Sequence, residues 1–294
     1  MNAKQWGLLL FISFTWGLSF FFIEIILREI GPFTLVFYRI SIAALIAVVW
    51  LYFSGKRLPF DRHSWSKFFV LGAINNLIPF SFISWGQVYI SSSLASILNA
   101  TTPLFAAVLA HFLTSDEHLT GHRIVGILLG IIGVCLLVGP EALYGMSSNV
   151  LGQCAILAAA ISYACGGIYT RQLKDMPVLV AMTGTLIAAS ILTLPLVLIY
   201  EYPLRTTLHW NTIGAVLGIS VFGTAFAYML YFHIIRTVGA TNTLLVTFLV
   251  PVTALLLGML VLKESLSQHA IVGMAVIFAG LVAVDGRLIR KLLR

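Results

Sequence analysis

Ten long apolar stretches, separated by little more than turn residues, run through this 294-residue chain. A helix needs about 20 apolar residues to cross ~30 Å of hydrocarbon. Lipid offers no hydrogen-bond partner, so each crossing segment must satisfy its own backbone. Only 9% of the residues are charged and 60% are hydrophobic, whereas soluble domains carry about 25% charged residues. Most of the chain therefore sits in a solvent other than water. The stretches predict membrane helices over 5–27, 32–53, 67–90, 93–113, 122–139, 149–170, 178–200, 211–235, 241–262 and 268–285. Turn or charge chemistry divides them: Gly31-Pro32, Ser54-Gly55-Lys56-Arg57, Ser91-Ser92-Ser93, Ser115-Asp116-Glu117, Gly139-Pro140-Glu141 and Asp175-Met176-Pro177. The apolar run after Lys4 lacks a small-residue cleavage pattern and reads as a retained first helix.

The net charge is +7, but the basic residues lie in short inter-helix loops and the C-terminal tail. That distribution reports orientation rather than a nucleic-acid surface. With a cytoplasmic N-terminus, Lys4, Lys56, Arg57, Arg62, Lys67, Arg123, Arg171, Lys174, Arg236, Arg287, Arg290, Lys291 and Arg294 fall inside, and only Arg28, Arg205 and Lys263 outside. Both termini are therefore expected in the cytoplasm. Cys135, Cys154 and Cys165 have neither the number nor the spacing of a disulfide or zinc framework, and read as small packing residues within the membrane.

The chain also repeats itself. Glu117-His118-Leu119-Thr120-Gly121-His122-Arg123-Ile124-Val125-Gly126 aligns with Glu264-Ser265-Leu266-Ser267-Gln268-His269-Ala270-Ile271-Val272-Gly273, and Gly133 with Gly280 in the same register. Upstream, Pro103 matches Pro251 with one residue of slippage, and the helix after Gly7 resembles the helix after Gly152. Two copies result, 1–144 and 145–294. Each holds an odd number of helices, five, so the second must insert upside down relative to the first. The expected fold is all-α: a polytopic membrane protein of ten transmembrane helices built as two inverted five-helix repeats, an arrangement that puts a substrate site near the midplane between repeats.

The opening Trp16-Gly17-Leu18-Ser19-Phe20, Arg39 in the second span, and the twice-used order of a mid-helix proline followed by a Glu-x-Leu turn resemble the EamA family of the drug/metabolite transporter superfamily. The resemblance covers nearly the whole chain. It implies ten helices, cytoplasmic termini and alternating access that moves small metabolites, often outward across a bacterial inner membrane. Substrates of such proteins include amino acids, sugars, nucleotide-like compounds and drugs. Many relatives carry lysine where this chain has Glu24, so no fixed-cation role carries over to that position.

Ionisable groups within a span are costly and face a cavity or a partner. Glu24 and Arg39 stand at similar depth on adjacent antiparallel helices. Three readings follow: a Glu24–Arg39 ion pair; a functional pair in which Arg39 holds a substrate carboxylate or phosphate or Glu24 takes up a coupling proton; or snorkelling to the interface. In the third span Asn76, Phe80, Ile83 and Gln87 share one helical face, beside Asn75; the repeat mates in the eighth are Thr224, Tyr228, Tyr231 and Ile235. Asn99 precedes Thr102 and Pro103, and Thr247 precedes Pro251, each by one turn. Proline frees a carbonyl there. Asn76, Tyr228 and Asn99 either line a cavity or join helices.

Trp16, Phe20, Tyr163 and Tyr169, on the first and sixth helices, suit a substrate of mixed polarity or an ordinary lipid-facing surface. The glycines Gly126, Gly130, Gly133, Gly273 and Gly280 permit close packing and assign the fifth and tenth helices to scaffold or dimer contact. His111 and His233 near helix ends are relay candidates or interfacial residues. Glu117 and Glu264 are expected to complement the starts of helices five and ten, with Thr120 and Ser267 as hydroxyl caps. The binding candidates are thus Trp16, Phe20, Arg39, Asn76, Phe80, Asn99, Tyr163 and Tyr228, with Glu24 and His233 for coupling.

No metalloprotease, nucleophile-elbow or Walker motif occurs, so neither enzyme chemistry nor a cofactor or metal is expected. The expected partners are a small-molecule substrate and the bilayer, with proton coupling or facilitated diffusion both open, as a monomer or homodimer. The rival reading is a membrane-embedded ligand sensor or scaffold.

Overall fold

The computed structural model describes residues 3–114, 119–139, 147–202, 207–238 and 245–285. Among the described residues, ten helices carry the fold. They are α1 (Ala3–Ile26), α2 (Pro32–Phe53), α3 (Arg62–Gly86), α4 (Ser92–Leu113), α5 (Gly121–Val138), α6 (Ser148–Leu173), α7 (Val178–Tyr200), α8 (Trp210–Ser220, continuing through Val221–Phe226 into Ala227–Val238), α9 (Leu245–Leu260) and α10 (Gln268–Asp285). Eight are long and apolar enough to cross a membrane, and the described parts of α9 and α10 are shorter apolar helices. No strand occurs among the described residues.

Local chemistry sets the helix ends. Pro32 opens α2, where its missing N–H costs nothing. Asp61 accepts from the Ser64 N–H at 2.8 Å and starts α3 five residues before the apolar run at 67 suggests. Ser91 and Ser147 cap α4 and α6 in the same way. Gly55 (φ 67°) and Gly139 (φ 77°) take positive φ just past α2 and α5. Ser267 caps α10 through the Ala270 N–H at 3.3 Å. Thr120 does not cap α5; its hydroxyl lies 3.1 Å from the His122 ring nitrogens instead. The two mid-helix prolines also differ. Pro103 follows a break at residues 100–101 that splits α4 into Ser92–Asn99 and Thr102–Leu113, whereas Pro251 lies inside continuous helix.

Packing follows the internal repeat. Helix α1 lies against α9 and α8, as α6 lies against α4 and α3; α2 packs on α7, and α5 on α10. Glycines set the last contact. A Cβ on Gly126 would meet the Gly280 carbonyl oxygen at 2.5 Å, one on Gly133 the Ile277 nitrogen at 2.7 Å, and one on Gly273 the Gly133 oxygen at 2.7 Å. These glycines are therefore used within the chain, at the contact between the two repeats. The outer faces stay greasy: Ile124, Leu128, Ile131, Ile132, Ile271 and Val272 are exposed, as lipid contact requires. Tyr52, Phe60, Tyr200, Tyr202 and Trp210 are exposed near helix ends, at the depth of an interfacial aromatic belt. Cys135 and Cys154 are free and exposed on helix surfaces rather than packed inside, because they fall on lipid-side positions of α5 and α6.

Gly133→Ala is expected to lower the thermal midpoint of the detergent-solubilised protein, since overpacking against backbone costs about 1–3 kcal/mol. Gly167→Ala, where a Cβ meets nothing within 4 Å, should leave it unchanged or raise it, through a helix-propensity gain of up to about 1 kcal/mol.

Candidate functional site

The centre of the bundle is built on two irregular turns. In α3 the residues Ala73–Leu77, and in α8 the residues Val221–Phe226, form π-helical turns at equivalent positions of the two repeats. Such single turns inside α-helices cluster at functional sites. In α3 the Ile78 N–H bonds five residues back to Ala73 O, which leaves Ile74 O without its helical donor. The Ser162 hydroxyl of α6 supplies one, at 2.6 Å. Pro79 follows at once and has no N–H to continue the ladder. In α8 the Thr224 hydroxyl donates five residues back to Ile219 O at 3.0 Å.

That second bond orients Thr224 to accept from Arg39 Nε of α2 at 2.9 Å. Arg39 is only 6% exposed, and its guanidinium carbon stands 3.7 Å from the centroid of the Phe80 ring. Phe80 meets Tyr163 edge-on, centroids 6.3 Å apart. The Tyr228 hydroxyl donates to Asn76 Oδ1 at 3.0 Å, and the Tyr163 and Tyr228 hydroxyls both lie within electrostatic range of the guanidinium. Asn76 is wholly buried, and its Nδ2 has no hydrogen-bond partner among the described residues. A desolvated cation–π contact contributes up to about 2 kcal/mol, and a hydrogen bond to a charged group about 1.5–3 kcal/mol. Desolvating the ion costs several kcal/mol, a cost of the same order as these contacts together.

Five of the candidates from sequence, Arg39, Asn76, Phe80, Tyr163 and Tyr228, thus form one cluster drawing on both repeats. Trp16 stands at its edge, 5.2 Å from the Tyr231 ring. Phe20 is buried in the core, and its carbonyl accepts from Gln87 Nε2 at 2.9 Å, so Gln87 joins α3 to α1. Asn99 sits at the break in α4, its buried Oδ1 without a hydrogen-bond partner among the described residues. His233 is exposed on the far part of α8. No Glu24–Arg39 ion pair forms. The charged neighbours of Glu24 are Glu264 and Arg28, whereas Arg39 turns toward α3 and α8; equal depth did not make the two side chains face each other. Thr224 and Tyr231 were not among the candidates, although the repeat register had put Thr224 opposite Asn76.

A second constellation lies at one end of the bundle, where three carboxylates each cap a helix of the other repeat. Glu201 accepts from the Phe33 and Thr34 N–H groups at the start of α2, at 2.9 and 2.7 Å. A Cβ on Gly31 would overlap that carboxylate, so a larger residue there would push the Glu201 side chain off its cap. Glu264 accepts from the Ser92 N–H (2.9 Å) and hydroxyl (2.7 Å), the Ser93 N–H (3.1 Å) and the Ser93 hydroxyl. Its carboxylate thus serves α4 rather than α10, because the chain turns back at Lys263 (φ 60°). Its repeat mate Glu117 lies outside the described residues. Glu29 accepts from the His209 N–H at 3.0 Å, beside the His209 ring (2.7 Å), at the start of α8. Carboxylates there satisfy orphan N–H groups and complement the helix dipole. The His209 backbone N–H is the main reason the Glu29 carboxyl sits below its usual range. A depressed value means that this cap holds above the ordinary carboxylate pKa and is lost only as pH falls through the lowered one; mild acid leaves α8 capped.

The model of the EamA-like transporter family matches residues 5–139 and again 150–284. A probable amino-acid metabolite efflux pump of Escherichia coli is 25% identical over 300 residues, covering 96% of this chain and 94% of its own. Protein PecM of Dickeya dadantii is 27% identical (92% and 88%), and the uncharacterized transporter YoaV of Bacillus subtilis 21% (92% and 92%). One solved crystal structure superposes with a TM-score of 0.68 over 100% of both chains at 19% identity, a likeness of fold. Since the family model fits each five-helix half in turn, this chain belongs to the EamA-like transporter family.

Proposed function

We propose that the protein is a secondary transporter that exports or exchanges small metabolites across the inner membrane by alternating access, with the Arg39 cluster as its binding site. The single observation behind this reading is the pair of repeat-related π turns, which bring polar groups of both halves together around Arg39 at mid-span. A site shared by inverted repeats can be exposed to either side when one repeat rocks against the other. The three carboxylate caps support the same reading, since each ties one repeat to the other at one end. The efflux-pump relative favours outward movement. With both termini in the cytoplasm, the capped end faces outward.

In this scheme Glu24 carries the coupling proton. It interacts electrostatically with Glu264, so neutralising it relieves the repulsion on the carboxylate that holds α4. His233, exposed and away from the cluster, is left as an interfacial group. A ligand sensor would bind without flux; counterflow of radiolabelled solute in proteoliposomes separates the two, and a metabolite-resistance screen in an overproducing strain supplies the cargo.

Thr224→Val, which removes the acceptor for Arg39 Nε, should cut counterflow about tenfold or more, since a charged hydrogen bond contributes about 1.5–3 kcal/mol, without loss of folded protein on gel filtration. Glu24→Gln should abolish pH-driven flux and spare counterflow; unchanged pH dependence removes Glu24 from the mechanism. Glu264→Gln weakens the α4 cap and should speed labelling of a cysteine at Ser19, in a cysteine-free background, by an impermeant thiol reagent added outside.

A further inference from the structure

The charges of the central site are one-sided. Arg39 is buried, and among the described residues no carboxylate pairs with it. The described acidic residues Glu29, Asp61, Asp175, Glu201 and Glu264 lie between helices, Asp285 is the last residue of α10, and Glu24 is grouped with Glu264 and Arg28 rather than with the cluster. One face of the guanidinium is covered by Phe80, and its Nε edge is spent on Thr224. The terminal nitrogens, Nη1 and Nη2, have no hydrogen-bond partner among the described residues. Asn76 Nδ2, on the amide whose oxygen takes the Tyr228 proton, has none either. The unused nitrogens around Arg39 are therefore donors, and the local charge is a single positive one.

We propose that this site takes small organic monoanions and rejects organic cations. A carboxylate sits bidentate on the Nη edge of Arg39, the geometry that a guanidinium fork matches best. Asn76 Nδ2 donates to one of its oxygens. The apolar body of the ligand lies against Tyr163, Tyr228 and the Trp16–Tyr231 pair, which offer flat faces with hydroxyl handles. One guanidinium neutralises one negative charge. A phosphate monoester carries about −1.5 to −2 at neutral pH and would leave charge uncompensated in a buried setting, so the carboxylate is the better fit. An amine would bring a second cation beside Arg39 with no carboxylate to meet it. Zwitterionic amino acids fall between. The inference deepens the transport reading and rests on it for the claim that the bound anion is cargo.

The test uses the purified full chain in detergent and four probes that share a phenyl body: 3-phenylpropanoate, phenylalanine, phenyl phosphate and 2-phenylethylamine, each at millimolar concentration. Thermal midpoint and intrinsic tryptophan fluorescence are read. The expected order of response is 3-phenylpropanoate first, phenylalanine and phenyl phosphate weaker, and 2-phenylethylamine none. Arg39→Lys should weaken the carboxylate response about tenfold, and Arg39→Gln should abolish it. Asn76→Asp, which gives Arg39 an internal counter-ion and keeps the buried volume, should abolish it too, and guards against a folding defect in the first variant. A response to the amine equal to that to the carboxylate overturns the proposal. So does a larger response to phenyl phosphate, a carboxylate response that survives Arg39→Gln or Asn76→Asp, or no response to any probe. Counterflow of 3-phenylpropanoate in proteoliposomes keeps the two readings apart. Binding without counterflow refutes transport and leaves the anion class standing; counterflow of a cation through the same protein refutes the anion class alone.

Discussion

Hydrocarbon cannot hydrogen-bond, and this structure depends on that one fact. The two π turns inside the bundle are each met by a protein partner. The carbonyl released by the π turn of α3 is taken by Ser162 from a neighbouring helix. The π turn of α8 is bridged by the hydroxyl of its own Thr224. Where helices begin at one end of the bundle, the exposed N–H groups are covered by carboxylates from the opposite repeat. Irregular backbone survives at these places because tertiary contacts pay its cost, and the places coincide with the polar centre and with the seam between repeats.

Charge is separated along the same lines. The cluster holds a buried guanidinium balanced by an aromatic face, a hydroxyl and neighbouring phenols. The carboxylates are drawn to helix starts, where the dipole favours them. A chain with 10 acidic and 17 basic residues thereby uses opposite signs for different tasks. The acids hold repeats together at an end, and Arg39 leaves a positive centre between them. The glycine contact of α5 with α10 rests on close backbone approach.

The internal repeat made much of the site legible before any coordinates. Asn76 and Phe80 stand opposite Thr224 and Tyr228 in register, and all four meet at the centre. Their status as cavity or glue was open from the pattern, and Tyr228 with Asn76 turns out to join two helices across the repeats. The same reasoning went wrong where it needed rotation about a helix axis. Glu24 and Arg39 share a depth, yet depth carries no information on which neighbour a side chain faces. Glu264 was matched to the helix that follows it in sequence, while its carboxylate reaches across to α4. The π turn of α8 had no proline to announce it, since Ala227 stands where α3 has Pro79; its cause lies in the neighbours it must fit.

Hydropathy and the internal repeat determined, without any structure, that this chain crosses a membrane about ten times as two opposed halves, because the cost of placing charge or bare backbone in lipid confines it to spanning helices and an odd number of them per repeat inverts the second. Only the tertiary structure decided that α2 turns Arg39 onto Phe80 and Thr224, and that three acids bridge the halves. Those outcomes depend on side-chain direction and on which helices touch, and a one-dimensional pattern of apolar and polar residues constrains neither.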